Sequence, residues 1–373
     1  MKKLWVFLLM VSLMLTSGCW DSVEIEQRLF VTAIAVDINE EVKEGESDRL
    51  IITFNYPNIN KIGNNSGEGP TSFIISKPSS SIFQAGRELI GEVPFPFYYK
   101  HLKIIIFSDE VLKDEELVRH ILDELNRDTK INKKVRILAA EGKAKDILEA
   151  AVKNEYTLEG TIFETIRHNT DSGRFTVKSL TDMIKDFDVL GITIVPRAEL
   201  RNGKYVIDGG CILKDYKFLA WIDEYKNRII NLINGKIEQE TIDVIYNGEL
   251  LTYAVRGTRS DMDIRIEDDI IVNIDIKLEG YLQGYSIHEK SLYETNAIPD
   301  IEKAIEEQLM KKIIETNNYL VEIKAPLFGV KDHLRKFHPK VWKKVKDHWE
   351  EMMGDVKFEY DTDAKIRRTG LTK

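Results

Sequence analysis

The chain has 373 residues, 43% hydrophobic and 31% charged, the balance of a folded protein with room for two domains or three. Its formal charge of −9 argues against general nucleic-acid binding, which needs a basic surface. Two cysteines and seven scattered histidines offer no zinc-site spacing and no disulfide framework, and no cofactor motif is found.

The first element is a leader. Met1-Lys2-Lys3 precedes an apolar run over residues 4–15 and then Thr16-Ser17-Gly18-Cys19. A basic start, a short apolar core and small residues make a secretory signal, 1–18, cut after Gly18. The run is shorter than the roughly 20 residues of a membrane span. A Cys directly after the small residues reads as a bacterial lipobox, so Cys19 is expected to carry diacylglycerol and palmitate-type chains and to hold the domain on the outer face of a membrane.

Asp21 and Glu24 form a capping-box pattern that would start a short helix. Residues 29–38 and 49–56 read as neighbouring strands. Residues 61–72, rich in Gly, Asn and Ser, read as a loop. A strand at 73–76 and a helix at 80–91 follow. The apolar run 102–107 suits a strand buried on both faces. Residues 114–126 put Leu117, Ile121, Leu122 and Leu125 on one side of an amphipathic helix. A strand at 135–140 and helices at 144–152, 161–168 and 177–187 lead to a strand at 190–195. The pattern breaks around 197–204, where a domain junction is placed. The regions are then 19–197 and 198–373.

The second region begins with a hairpin, 205–213 against 217–221, and a helix at 224–233. Gly209-Gly210 reads as a tight bend or bulge, and Cys211 as a small core residue. Strands are expected at 236–246, 250–256, 263–266 and 270–282, with Asn247-Gly248 and an acidic stretch as turns. Asp261, Asp263, Asp268 and Asp269 lack calcium-loop spacing. Pro299 opens a long helix through Ile323, a second helix covers 339–353, and a strand at 356–360 precedes a last stretch through Ile366. The fold class is thus α/β then α+β: mixed sheets with packed helices, the C-terminal part rich in long antiparallel strands and long helices.

No nucleophile elbow, metal-binding His pair or phosphate loop is found. The notable charge feature is at 331–346, where Lys331, Arg335, Lys336, Lys340, Lys343, Lys344 and Lys346 face a single acid, Asp332. Trp342, Val345 and Trp349 fall at helical spacing there. One reading is a core-facing aromatic stripe with a solvated basic face. The other is a patch that meets anionic headgroups or an acidic partner. Arg28 and Lys100 are further candidate contacts.

Specific residues carry a resemblance. Cys19-Trp20-Asp21 followed by Glu24-Ile25-Glu26, the stretch 29–37, residues 83–89, Tyr99-Lys100-His101-Leu102-Lys103, residues 209–221, Pro339-Lys340-Val341-Trp342, Trp349 and Ile366-Arg367-Arg368-Thr369-Gly370 stand in an order similar to that of the Ger(x)C family. The chain departs from it at 324–329, where members tend to carry an Asp before the Gly. The resemblance implies a fold of about three mixed α/β domains. It also implies a non-enzymatic subunit of a nutrient germinant receptor, on the outer face of the spore inner membrane. The partners implied are a membrane-bound A subunit and a transporter-like B subunit. It does not say whether this subunit binds nutrient directly. Two other readings are a lipid-anchored solute-binding protein serving a transporter, which would need two matched lobes, and an envelope hydrolase.

Overall fold

The apolar run at 104–107 becomes the centre of the largest sheet. The computed structural model describes residue 5 and residues 27–43, 47–61, 70–153, 161–168, 173–237, 239–266, 269–284 and 297–368. Apart from residue 5, the signal segment with Gly18 lies outside the described residues, as do Cys19, the Asp21–Glu24 cap and 62–69 of the expected loop.

Strands β1 (Leu29–Phe30) and β5 (Phe97–Tyr98) form a parallel two-stranded ribbon. The main sheet holds β2 (Ala33–Ile38), β3 (Leu50–Pro57), β4 (Ser72–Ser79), β6 (Ile104–Ser108), β7 (Arg136–Ala140), β8 (Ile192–Arg201), β9 (Lys204–Lys214) and β10 (Lys217–Ile222). Their order is β10-β9-β8-β7-β6-β2-β3-β4. Strands β2, β6, β7 and β8 run parallel in the middle, and antiparallel pairings complete both sides.

Helices α1 (Ile82–Glu88), α2 (Asp109–Lys113), α3 (Glu115–Arg127), α4 (Ala144–Lys153), α5 (Thr161–His168) and α6 (Leu180–Leu190) accompany these strands. All five residues of β6 are buried, and period-2 geometry divides them between two cores. Ile105 and Phe107 join Ile121, Leu122 and Met183 of α3 and α6. Ile104 and Ile106 join Ile147, Leu148 and Ile162 of α4 and α5. A sheet covered on both faces needs unbroken apolar strands, which is what the sequence supplies.

The second sheet is smaller. Its order is β11 (Glu240–Tyr246), β12 (Glu249–Ile266), β13 (Ile270–Gly284) and β14 (Lys357–Arg368). Helix α8 (Ile298–Glu322) covers one face, with Ile301, Ile305, Leu309 and Ile313 packed in the same core as Val244, Val272, Ile274 and Ile276. That core also takes in Ile194 and Ile212 of the main sheet and Ile229 and Ile230 of α7 (Glu224–Ile233). The chain then makes α9 (Val330–Phe337), α10 (Pro339–Val345) and α11 (Trp349–Met352) before β14.

Several elements differ from expectation. The junction sought at 197/198 lies on β8, and the main sheet runs on through β9 and β10. Asn202 and Gly203, at φ 53° and 73°, make the tight turn between β8 and β9, the geometry that an Asn-Gly pair favours in hairpins. The strands expected at 250–256 and 263–266 are one 18-residue strand, because β12 stays paired to β13 through its polar middle. Asp261 and Asp263 therefore sit on a strand. Strand β14 is parallel to β13, since α8 to α11 carry the chain back across the sheet. The helix expected at 177–187 starts at Leu180, where Ser179 and Asp182 form a full capping box. The helix expected at 339–353 is broken, with a 3-10 turn at Lys346–His348.

Gly209 has φ +61°, and an added Cβ would sit 2.2 Å from the Ile222 carbonyl oxygen. Only glycine fits that approach. The neighbouring Cys211 is fully buried in β9, where burial pushes its thiol pKa up, so it is a packed and unreactive side chain.

Candidate functional site

The basic stretch is two helices, not one continuous face. Gly329 at φ 75° turns the chain into α9, and Val330 and Leu334 bury its inner side. His338 and Pro339 separate α9 from α10, since proline is tolerated at the first turn of a helix and not in its interior.

This break sorts the seven basic residues. Lys331 is a strut: its Nζ donates to the carbonyl oxygen of Leu190 at 2.6 Å and lies 5.9 Å from the centre of the Trp342 ring. A cation there caps the C-terminal end of α6. Arg335 and Lys336 both pair with Asp332. Burial alone would raise the Asp332 pKa, but these two partners outweigh it and hold the carboxyl below the usual range. Lys346 lies 3.9 Å from Asp347. Lys340, Lys343 and Lys344 are exposed on α10, with no ion pair to a described residue.

The aromatic stripe is core edge. Trp349 is buried, Trp342 is half-buried, and their rings meet edge to face at 5.9 Å. Beside them an open groove of about 650 Å³ runs between α10 and the β12–β13 end, lined by Ile266, Ile270, Val341, Val345, Met352 and Val356. Phe337, 67% exposed, stands at the end of α9. The segment thus offers apolar surface and three open ammonium groups together, fit for an anionic, partly apolar surface.

A second cluster lies where the described chain begins. The Arg28 guanidinium sits 4.8 Å from the Tyr98 ring centre and the Lys100 ammonium 6.0 Å from it. Phe30 meets both Tyr98 and His101 edge to face. His101 is therefore an exposed strand-entry residue with aromatic contacts, and His168 lies 3.2 Å from Glu164. Among the described residues no group of three His, Cys, Asp or Glu side chains could hold a metal. No described helix is long and apolar enough to cross a membrane.

Two family models cover most of the chain. The spore germination protein N-terminal domain matches residues 21–200, and the spore germination B3/GerAC-like C-terminal domain matches 208–370. The chain belongs to the Ger(x)C family. Among its relatives are three proteins of Bacillus subtilis (strain 168). Spore germination protein B3 is 22% identical over 362 residues, 95% of this chain and 94% of that protein. Spore germination protein YndF is 24% identical over 382 residues, 96% and 94% of the two. Spore germination protein A3 is 23% identical over 376 residues, 99% and 98%. A crystal structure of the GerBC protein has the same fold, with a TM-score of 0.58 at 18% identity, covering 90% of this chain and 98% of that one.

These matches agree with the resemblance to the Ger(x)C family. The solute-binding alternative finds no support. Its two lobes should match, whereas here an eight-stranded mixed sheet faces a four-stranded one, and the relatives are spore germination proteins.

Proposed function

We propose that this chain is a lipid-anchored, non-enzymatic subunit of a nutrient germinant receptor. Diacylated Cys19 would hold it on the outer face of the spore inner membrane, beside integral-membrane A and B subunits. The observation that carries the reading is the match of germination-protein family models to both halves of the chain. The Met1–Cys19 leader supplies the anchor. Two or more acyl chains, at about 0.8 kcal/mol per buried methylene, give firm attachment. Confinement to one surface then raises the local concentration, so modest contacts suffice for assembly. Lys340, Lys343 and Lys344 beside the α10 groove are the contact surface we assign to an acidic partner or to headgroups. We assign the subunit a scaffolding or coupling role rather than primary nutrient sensing.

The deciding experiment is quantitative proteomics of inner membranes from dormant spores against vegetative membranes, recording the mass of the N-terminal peptide. Spore enrichment with diacylglyceryl-Cys19 and co-enriched polytopic proteins is expected. Abundance in growing cells and absence from spores would sink the reading. Cys19→Ala should release the protein from membranes; full retention would mean that protein contacts alone hold it. Micromolar nutrient binding to the purified protein, with germinant specificity, would overturn the scaffolding role.

A further inference from the structure

A cavity of about 200 Å³ lies between the two family-matched halves. One wall comes from the segment around α6 and β8, with Thr176, Lys178, Asp186 and Thr193; the other comes from the end of α7 and the turn before α9. Most of its polar groups are already engaged. Lys178 pairs with Asp186, which also accepts from the Thr193 hydroxyl at 2.7 Å. The Thr176 hydroxyl donates to Asn231 at 2.9 Å, and the Asn234 amide donates to the Leu327 carbonyl at 3.1 Å.

Lys236 differs. Its backbone is pinned: Gly235 N–H donates to Leu232 O and Lys236 N–H to Asn231 O, at 3.0 and 2.8 Å. This pair of bonds is the Schellman closure of α7. Its side chain lines the cavity, and its ammonium has no hydrogen bond or ion pair with a described residue. Lys236 is an exposed residue on the cavity lining. Partial desolvation and the nearby Lys178 push its pKa down, against the pull of Asp186 and Asp182. Neither acid is ion-paired to it: Asp186 is held by Lys178 and Thr193, and Asp182 by Ser179.

We propose that this cavity is a binding site for a small oxyanion, a carboxylate or phosphate group, held between Lys178 of the first half and Lys236 of the second. Each ammonium has three N–H donors, so Lys178 keeps donors to spare beyond its bond to Asp186. Lys331 on the same lining adds a third positive charge. Asp332, the other lining acid, is already held by Arg335 and Lys336. A volume of about 200 Å³, against roughly 30 Å³ for a water in the liquid, admits a solute of a few heavy atoms. The bound anion would tie the two halves together through one salt-bridged atom group. This site stands apart from the anchor and from the germination reading and does not depend on either.

The test is thermal unfolding of the whole mature lipoprotein in detergent, with inorganic phosphate, malonate or chloride at matched ionic strength, together with isothermal titration of the two oxyanions. Phosphate or malonate should raise the melting temperature saturably, by about 2 °C at ten times the dissociation constant. A phosphate-only response identifies a phosphate site and a malonate-only response a carboxylate site. Lys236→Met should abolish the response, whereas Lys236→Arg and Lys130→Met, at an exposed position away from both sites, should keep it. A shift that follows ionic strength alone, titrations without saturable heat for either anion, or an unchanged response in Lys236→Met would overturn the assignment.

Discussion

The two sheets solve the burial problem differently. In the main sheet helices lie on both faces, so β6 is buried at every position and alternate residues serve different cores. In the smaller sheet α8 covers one face. There β11 alternates, with Ile242 and Val244 buried and Thr241, Asp243 and Ile245 exposed. The first arrangement makes almost any strand substitution costly, while the second leaves a whole strand face free to change. Yet the cores are not separate, because Ile194 and Ile212 of the main sheet belong to the cluster that holds α8.

This contrast can be broken at five points. Phe107→Ala in β6 should cost the most, about 3–5 kcal/mol, measured by chemical denaturation. Leu309→Ala on α8 should cost about 2–5 kcal/mol. Both should lower one shared transition; two transitions that move independently would mean that the sheets unfold as separate units. Lys331→Met removes a charged hydrogen bond to Leu190 O and should cost about 1.5–3 kcal/mol, with faster amide exchange in α9. Asp223→Ala removes the cap of α7, where the carboxylate accepts from Lys226 N–H at 2.8 Å, and should cost about 1 kcal/mol.

That fourth effect carries a pH signature. Burial would raise the Asp223 pKa, but the Lys226 side chain and N–H outweigh it and leave it lowered. Its stabilisation is therefore full above the ordinary carboxylate value and is lost as pH falls through the lowered folded value. Wild type and Asp223→Ala should converge in acid. Smallest of all, Ile245→Thr on the open face should stay within about 0.5 kcal/mol; a large loss would mean that something covers that face.

Much of the fold was legible because local pattern and tertiary environment agreed. The apolar run at 104–107 and the Leu117-Ile121-Leu122-Leu125 stripe specify their burial directly, and Asn247-Gly248 marks its turn, with φ 51° and 83°. The Asn202-Gly203 turn carried the same signal and was hidden by the charged residues around it, which read as a linker. The polar middle of β12 looked like a turn because pairing with β13, a non-local cause, holds it extended. At the candidate site the lysines were visible, but their roles were not. Lys331 and Lys343 look alike in sequence; one reaches Leu190 O and the other faces water. Lys178 and Lys236 meet only through the fold, so no spacing rule could have joined them.

The β8–β9 hairpin limits how this protein can be taken apart. The family models end at residue 200 and resume at 208, which invites expressing the halves separately. A cut there would remove β9 from beside β8, leaving a buried apolar strand as a raw sheet edge, the kind that recruits other chains. The other piece would keep β9 and β10 as a two-stranded hairpin without the sheet that supports it, which is marginal in water. Solubility of either half alone would thus report on strand rescue rather than on an autonomous domain.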